Sequence, residues 1–175
     1  MRCGEGIEIT YTITKLPLDY LLVAATQKGL CAVQFGNNQK KLEREFKKEF
    51  SAAKLTRNDQ YLRKWTQALI DYLAGEKPWL LLPYDVQATA FQRRVWNWLR
   101  SIPSGTTYNY SEAAKAIGQP NAARAVARAC ATNSVALIIP CHRIVPKSGG
   151  AGGYRWNSDR KRKLLNLESK PIRRK

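Results

Sequence analysis

The chain has 175 residues, of which 30 are Lys or Arg and 13 are Asp or Glu, and its formal net charge is +17. A chain of this length buries roughly 70 per cent of the surface that its unfolded form exposes, so it needs neither disulfides nor a structural metal. Its four cysteines form no C-x-x-C pair, and a single histidine cannot complete an ordinary Cys/His zinc set. We therefore expect free thiols, no metal and no cofactor.

No stretch of the chain approaches the roughly 20 apolar residues of a membrane span, and residues 1–6 lack the apolar core of a signal peptide. Unpaired cysteines are typical of a reducing compartment. We therefore expect a soluble intracellular protein with no membrane partner, located in the cytoplasm and associated with the nucleoid if the source is prokaryotic.

The charge is distributed unevenly and predicts two domains. Residues 1–86 hold 13 Lys or Arg against 10 Asp or Glu, whereas residues 87–175 hold 17 against 3. A field of that sign attracts a polyanion, and nucleic acid is the usual soluble polyanion. The alternative is a solvated basic surface, which we prefer for the tail 170–175. An anionic membrane is a weaker option, because the basic residues do not lie opposite a wide apolar helix face.

The first half alternates strand and helix signals. Apolar residues of period two predict a strand over 7–13, and two apolar runs, 20–24 and 30–35, flank a turn and predict a hairpin. Together they predict a small antiparallel sheet. Helical spacing over 42–50, and over 58–75 with an asparagine cap, predicts two helices that cover one face of it. Nothing in this half converges on chemistry, and its aromatic residues are interpreted as core, so we assign it a scaffold role.

The second half begins with helices. A capping box at 89–92 opens the first helix. Ser111 is predicted to cap a short helix over 112–117, and after a turn that contains Gly118 a third helix runs over 121–132, with its first residue as the cap. Two short helices joined in this way form the helix-turn-helix pattern, which is a weak signal alone. Coupled to the charge of this half, it predicts a DNA-binding element.

The predicted third helix has an unusual surface. It is rich in alanine, and Arg124 and Arg128 project from one face at a spacing of four. A thin helix with long cations can approach a groove closely, although an alanine-rich packing helix with two solvated arginines fits the same composition. Asn133 follows this helix and is either its left-handed C-cap or a side chain that fixes the turn before Cys141.

Pro140-Cys141-His142-Arg143 places a cysteine beside the only histidine of the chain, after the apolar run 135–139. A reactive cysteine needs a neighbouring base or positive charge, and His142 and Arg143 can supply both. Neighbours in an extended segment point to opposite faces, so a water that relays the proton is preferred to direct contact. The alternative is that Cys141 is a small buried hydrophobe and His142 a satisfied core histidine.

One carboxylate breaks the pattern of the last helix, which is predicted to begin at a Ser158 cap after the glycine-rich loop 148–153. Glu168 lies four residues after Leu164, on the apolar seam rather than the solvent face. Buried carboxylates need a partner, and His142 is the natural one in a half with few acids. The pattern therefore predicts a Cys, water, His, Glu relay.

These residues resemble a known family. Pro140-Cys141-His142-Arg143-Ile144-Val145 is similar to the active-site signature of the O6-alkylguanine-DNA alkyltransferases, which repair DNA by direct reversal. Further segments match in register: 91–96, 105–118, 122–126, Asn133 and 153–156. The Gly-Tyr-Arg-Trp stretch at 153–156 is most similar to the alkyltransferase part of the bacterial Ada type. The match covers residues 87–168, and the first half fits more loosely.

The resemblance implies an α+β fold with a ribonuclease-H-like N-terminal domain, 1–86, and a C-terminal domain, 87–175, that is helical and winged-helix-like. It also implies a suicide methyltransferase that flips the nucleotide and moves an alkyl group from O6 of guanine in double-stranded DNA to its own Cys141. One molecule would then repair one base. The resemblance further implies a monomer, and it leaves open the acceptance of O4-alkylthymine.

The resemblance also assigns roles to residues. Cys141 is implied as the acceptor, His142 as the base and Glu168 as its orienting carboxylate, while Asn133 holds the active-site turn and Tyr110 crowds the target phosphate and helps rotate the nucleotide. The implied DNA contacts are Arg124 as a finger that enters the duplex, together with Tyr110, Ser111, Arg128 and Lys147. The implied base pocket consists of Cys130, Ile144, Tyr154 and Arg155.

The chain departs from the family in places. It lacks the Cys/His set of members with zinc in the first domain, and the basic cluster Lys161-Arg162-Lys163 is expected to add DNA-binding charge. Three competing hypotheses are a binding protein that only flags lesions, a transcription regulator and a cysteine hydrolase. Binding proteins that only flag lesions lack the acceptor cysteine, which is present here as Cys141. A transcription regulator does not explain the Cys, His, Glu relay, and a cysteine protease would use a histidine remote in sequence.

Overall fold

The computed structural model of this chain describes residues 6–17, 19–77 and 80–170. Its backbone divides into two compact units, Met1–Ile70 with Leu81–Gln87, and Asp71–Leu80 with Ala88–Lys175. Helices and strands occur in both units, in agreement with the predicted α+β class. Cys3 and the tail beyond residue 170 lie outside the described residues, and the boundary predicted after residue 86 stays a prediction.

The first unit is built on a four-stranded sheet of order β3-β2-β1-β4. Its strands are β1 Glu8–Lys15, β2 Tyr20–Ala25, β3 Leu30–Gly36 and β4 Lys54–Arg57. The pairs β1/β2 and β2/β3 are antiparallel, as predicted, whereas β4 pairs parallel to β1. The sequence did not predict β4 because its four residues are largely exposed and carry little apolar alternation.

Helix α1, Gln39–Glu49, packs its apolar face on β2 and β3. Leu42, Phe46 and Phe50 join the core of the sheet, so this helix covers the sheet as predicted. Helix α2, Arg63–Leu73, begins later than expected, because the Asn58 side chain caps the turn before it and accepts from the amide of Tyr61. The end of α2 belongs to the second unit. We had predicted that the whole helix covers the sheet of the first half.

The second unit contains the predicted helices. Helix α3, Ala90–Ser101, opens with the predicted Thr89/Gln92 capping box. The short parallel strands β5, Tyr108–Asn109, and β6, Ile144–Val145, pair with each other. The remaining helices are α4 Tyr110–Ala116, α5 Ala123–Ala131 and α6 Ser158–Glu168. Helices α4 and α5 pack together and form the helix-turn-helix pair.

Three predicted helix caps were wrong by one or two residues. Asn109, rather than Ser111, caps α4, because its Oδ1 accepts from the amides of Ser111 and Glu112, while the Glu112 carboxylate accepts from the backbone amide of Asn109. Helix α5 has no side-chain cap, so Asn121 does not serve as one. Helix α6 is capped by Asn157 instead of Ser158. Adjacent polar residues offer rival caps that the sequence alone does not rank.

In the described part of the chain, helices are too short or too polar to cross a membrane. The same residues hold no group of three His, Cys, Asp or Glu side chains placed to bind a metal ion. Cys31, Cys130 and Cys141 are buried.

Replacement of Asn109 tests the reassigned cap. Asn109→Ala removes the acceptor for two amides and is expected to lower the free energy of unfolding by about 1 kcal/mol. Ser111→Ala is the matched control, since the exposed Ser111 side chain does not cap the helix, and we expect a change below about 0.5 kcal/mol. Urea unfolding followed by circular dichroism measures both, and a larger loss in Ser111→Ala would restore the original cap.

Candidate active site

Asn133 organises the turn that carries the cysteine. Its side chain is fully buried, and Nδ2 donates to the carbonyl of Ile139 at 2.9 Å and lies 3.3 Å from Sγ of Cys141. Its Oδ1 accepts from the amide of Val135 at 2.9 Å. Of the two readings of Asn133, the structure therefore supports the side chain that fixes the turn, and Thr132 is the C-cap of α5. The apolar run 135–139 is buried as predicted.

Cys141 begins a 3₁₀ turn, Cys141–Arg143, so the expected extended segment was wrong. Its thiol is buried, and burial raises the pKa of Cys141 above its ordinary value, although the hydrogen bond from Asn133 and the positive charges of Lys161 and Arg155 act in the opposite direction. At neutral pH the group is therefore a thiol and not a thiolate. A nucleophilic reaction at this sulfur requires a base.

His142 is fully buried and bonded to a carboxylate. Its Nε2 lies 2.7 Å from Oε1 of Glu168. Burial lowers the pKa of His142 and outweighs the opposing effect of Glu168, so the ring is neutral at pH 7. Since the carboxylate accepts, Nε2 carries the proton and Nδ1 is the basic nitrogen. Nδ1 is buried without a hydrogen-bond partner among the described residues.

Glu168, whose side chain is 2% exposed, accepts from four groups. Besides His142, Arg143 donates through Nε to Oε2 and through Nη2 to Oε1, each at 2.9 Å. The amide of Gly105 donates to Oε2 at 3.3 Å, and the hydroxyl of Tyr72 donates to Oε1. Burial alone would raise the pKa of Glu168, but the bonds from His142 and Arg143 hold it well below its ordinary value. The carboxylate is therefore ionised.

Two expectations about this network need correction. Arg143 was expected to supply the positive charge beside the thiol, but its guanidinium is held by Glu168 and by the carbonyl of Ile102. Tyr72 was assigned to the core of a half without chemistry, but its hydroxyl reaches the carboxylate. The sequence carried no signal for Tyr72, because an isolated tyrosine on an amphipathic helix is typical of core.

Lys161 was expected on the DNA-binding surface and is instead 1% exposed. Its Nζ donates to the carbonyls of Ile144 at 2.5 Å and Gly153 at 3.3 Å. Burial lowers the pKa of Lys161, and Cys141 and Cys130 oppose this. The spacing held the signal, because Lys161 precedes Leu164 by three residues and falls on the seam that carries Glu168. Arg162 and Lys163 are exposed.

The predicted base-pocket residues lie around the thiol. Cys130 is buried on α5, and burial followed by Cys141 raises its pKa. Ile144 is buried on β6, and the hydroxyl of Tyr154 is buried without a partner among the described residues. Arg155 donates through Nη1 to the carbonyl of Asn133 at 3.2 Å.

Tyr110, at the first position of α4, is half-buried, and burial followed by Cys130 and Cys141 raises its pKa. The remaining predicted DNA contacts are exposed: Ser111, Arg124, Arg128 and Lys147. Arg124 and Arg128 line a groove of about 370 Å³ between the start of α3 and α5. The cationic face predicted for α5 is therefore free to meet a ligand.

Comparison with known proteins gives two family matches. Residues 9–86 match the ribonuclease-like domain, and residues 90–170 the DNA-binding domain, of 6-O-methylguanine DNA methyltransferase. Both matches confirm the fold predicted for the two halves. The Escherichia coli "Bifunctional transcriptional activator/DNA repair enzyme Ada" is 41% identical over 166 residues, which are 95% of this chain and 47% of that protein. This chain thus spans about half the length of that relative.

Two further relatives are matched over nearly their whole length. A methylated-DNA--protein-cysteine methyltransferase of Methanosarcina acetivorans is 38% identical over 162 residues, which are 90% of this chain and 97% of that protein. The crystal structure of Mycobacterium tuberculosis OGT in complex with DNA has a TM-score of 0.77 and 33% identity, and the match covers 91% of this chain and 92% of that one.

Removal of the Glu168 charge tests the buried network. Glu168→Gln leaves the guanidinium of Arg143 buried without its counter-charge, and we expect a loss of about 3–5 kcal/mol in the free energy of unfolding at pH 7. Glu45→Gln is the control, because Glu45 pairs with Lys41 on the exposed face of α1 and should contribute at most about 1 kcal/mol.

The same pair has a defined pH dependence. The pKa of Glu168 is lowered from 4.5 on folding, so its contribution is present above that value and is lost as the pH falls below it. The difference in unfolding free energy between wild type and Glu168→Gln should therefore shrink as the pH falls from 5 into the acid range. A difference independent of pH would contradict the ionised carboxylate.

Proposed function

This chain belongs to the 6-O-methylguanine DNA methyltransferase family, and on that premise we propose that it repairs alkylated DNA by moving an alkyl group from O6 of guanine to Sγ of its own Cys141. The observation that carries the proposal is one buried thiol that is bonded by Asn133 and is followed directly in the chain by a neutral histidine already bonded to a carboxylate. A transcription regulator or a packing role would not require that network.

The proton of Cys141 leaves through His142. In the proposed relay, a water accepts the proton from Sγ and passes it to Nδ1, and the relay is supported by Nδ1 being the unprotonated ring nitrogen, buried without a partner among the described residues. As the proton passes to Nδ1, the imidazolium forms against the ionised Glu168, which stabilises it. Arg143 keeps the proton on Nε2 from moving to the carboxylate, since it lowers the basicity of both oxygens.

Displacement then occurs at the alkyl carbon. The Sγ–C bond forms as the C–O6 bond breaks, and the electron pair of that bond stays on the guanine. The proton that His142 took from Cys141 then passes through water to the guanine, which restores both the neutral base and the neutral imidazole. The product S-alkylcysteine is a thioether, which is a poor leaving group, so each molecule acts once. Lys161 and Arg155 assist because their positive charges lower the energy of the thiolate as it forms.

The substrate is duplex DNA, and the target nucleotide is flipped out before reaction because O6 is hidden in the stack. The helix-turn-helix pair docks in the minor groove, where the thin face of α5 lets Arg124 enter the duplex and fill the vacated space. Tyr110, at the start of α4, rotates the target phosphate, while Ser111, Arg128 and Lys147 contact the backbone. The exposure of these cations and the charge of this half support this arrangement.

The flipped base lies among Cys130, Ile144, Tyr154 and Arg155, where the buried side chains of Cys130 and Ile144 give an apolar wall. O4-alkylthymine presents a similar alkyl ether, and we propose it as a secondary substrate. The protein acts as a monomer, because one molecule supplies the acceptor, the base and the DNA-binding helix. We place it in the cytoplasm, since the unpaired Cys130 and Cys141 are typical of a reducing compartment.

Mass spectrometry tests the acceptor. Wild-type protein incubated with a duplex that carries O6-methylguanine should gain one methyl group, on the peptide that contains Cys141. Cys141→Ala should gain none and still bind the duplex. A methyl group on Cys3, Cys31 or Cys130 would overturn the assignment.

The finger role of Arg124 is tested with two substrates. Arg124→Ala should slow repair of duplex DNA at least tenfold, because the vacated space is left unfilled, and leave the reaction with free O6-benzylguanine within about twofold of wild type. Arg44→Ala removes the same charge from α1 and should change neither rate. Equal losses of Arg124→Ala on the two substrates would contradict the role.

A further inference from the structure

Tyr72 is buried at the end of α2 and belongs to the same compact unit as Cys141. Its hydroxyl donates to Oε1 of Glu168, which is the same oxygen that accepts from Nε2 of His142. Nη2 of Arg143 donates to the same oxygen, so three donors share its lone pairs and its charge. The hydrogen bond of Tyr72 is therefore coupled directly to that of the histidine.

We propose that Tyr72 is a positioning residue for alkyl transfer: its hydroxyl fixes Oε1 of Glu168 and tunes the strength with which that oxygen binds Nε2–H of His142. The proposal rests on the proposed function, in which His142 is the base. A second anchor alone would be redundant, because Arg143 and the Gly105 amide already bind this carboxylate. What Tyr72 adds is a neutral donor on the oxygen that faces the histidine.

The chemistry sets the direction of the effect. A phenol that donates to Oε1 lowers the negative charge available to an imidazolium, so it limits how far Glu168 raises the proton affinity of His142. Burial and the adjacent Glu168 charge raise the pKa of Tyr72, so the group remains a donor at neutral pH. The titratable side chains that face this carboxylate and its histidine are Tyr72, His142, Arg143, Tyr154 and Lys161.

The decisive measurement uses the fact that the chain contains one histidine. In protein labelled with ¹⁵N-histidine, the two ring nitrogens report the tautomer and the titration of His142 alone. Tyr72→Phe should raise the pKa of His142 by roughly 0.5–1 unit, and the acid limb of the O6-benzylguanine reaction should move with it. The rate constant at saturating substrate should nevertheless fall roughly three- to tenfold, because Oε1 of Glu168 is no longer fixed against Nε2–H of His142. This is a small part of the 10²–10⁴ that general-base catalysis contributes, and substrate binding should be unchanged.

Tyr11→Phe is the matched control, because Tyr11 is a buried tyrosine of the first unit whose hydroxyl donates to Glu43 at 2.7 Å. It should lose stability as Tyr72→Phe does and leave the His142 titration and the pH profile unchanged. Tyr72→3-fluorotyrosine keeps the packing and strengthens the donor, so it should shift the His142 titration in the opposite direction. This variant serves if Tyr72→Phe does not fold.

Coincident His142 titrations in wild type and a folded Tyr72 variant would overturn the proposal. A wild-type protein that transfers no alkyl group to Cys141 would instead defeat the proposed function, and the NMR titration would still decide whether Tyr72 tunes His142.

Discussion

The second unit depends on one ionised carboxylate that is shielded from water. An isolated carboxylate is costly to bury, and Glu168 is tolerated because two cationic nitrogens of Arg143, a phenol, an amide and an imidazole satisfy both of its oxygens. These donors come from the end of α2, the segment after α3 and the 3₁₀ turn. The carboxylate thus fixes three separate segments around the residue next to Cys141.

That arrangement resolves a conflict between burial and reactivity. Burial protects Cys141 but raises the pKa of its thiol, and burial also lowers the pKa of His142. The neutral histidine is therefore available as a base, while Cys141 stays protonated until a base takes its proton. Lys161, held by two backbone carbonyls, adds a positive charge that does not need a carboxylate partner. The positive charges of Lys161 and Arg155 favour the thiolate, but burial outweighs them in the resting protein, so the thiol still needs a base.

The sequence carried the fold class and much of the network, and the reasons are local. The 3.6-residue period placed Glu168 on a buried seam, and the unique His142 offered a partner, so the contact could be expected before it was seen. The same helical period places Lys161 on that buried seam, but we assigned Lys161 to the surface because it lies in a basic cluster. The predicted helix caps were wrong where an asparagine and a serine lie one or two residues apart, as at Asn109 and Ser111. Strand β4 was not predicted, because its four largely exposed residues carry little apolar alternation.

Tyr72 marks a different limit. Its contact with Glu168 joins residues 96 positions apart, and no local pattern reports on such a pair. A tyrosine among apolar residues on a helix satisfies every local expectation of core, and only the folded chain reveals that its hydroxyl ends on the carboxylate. A buried phenol requires a hydrogen-bond acceptor, and the sequence does not tell which residue accepts from the hydroxyl of a core tyrosine. In this chain the acceptor is Glu168, so the hydrogen bond of Tyr72 connects α2 to the proposed base His142, and through it to the chemistry of Cys141.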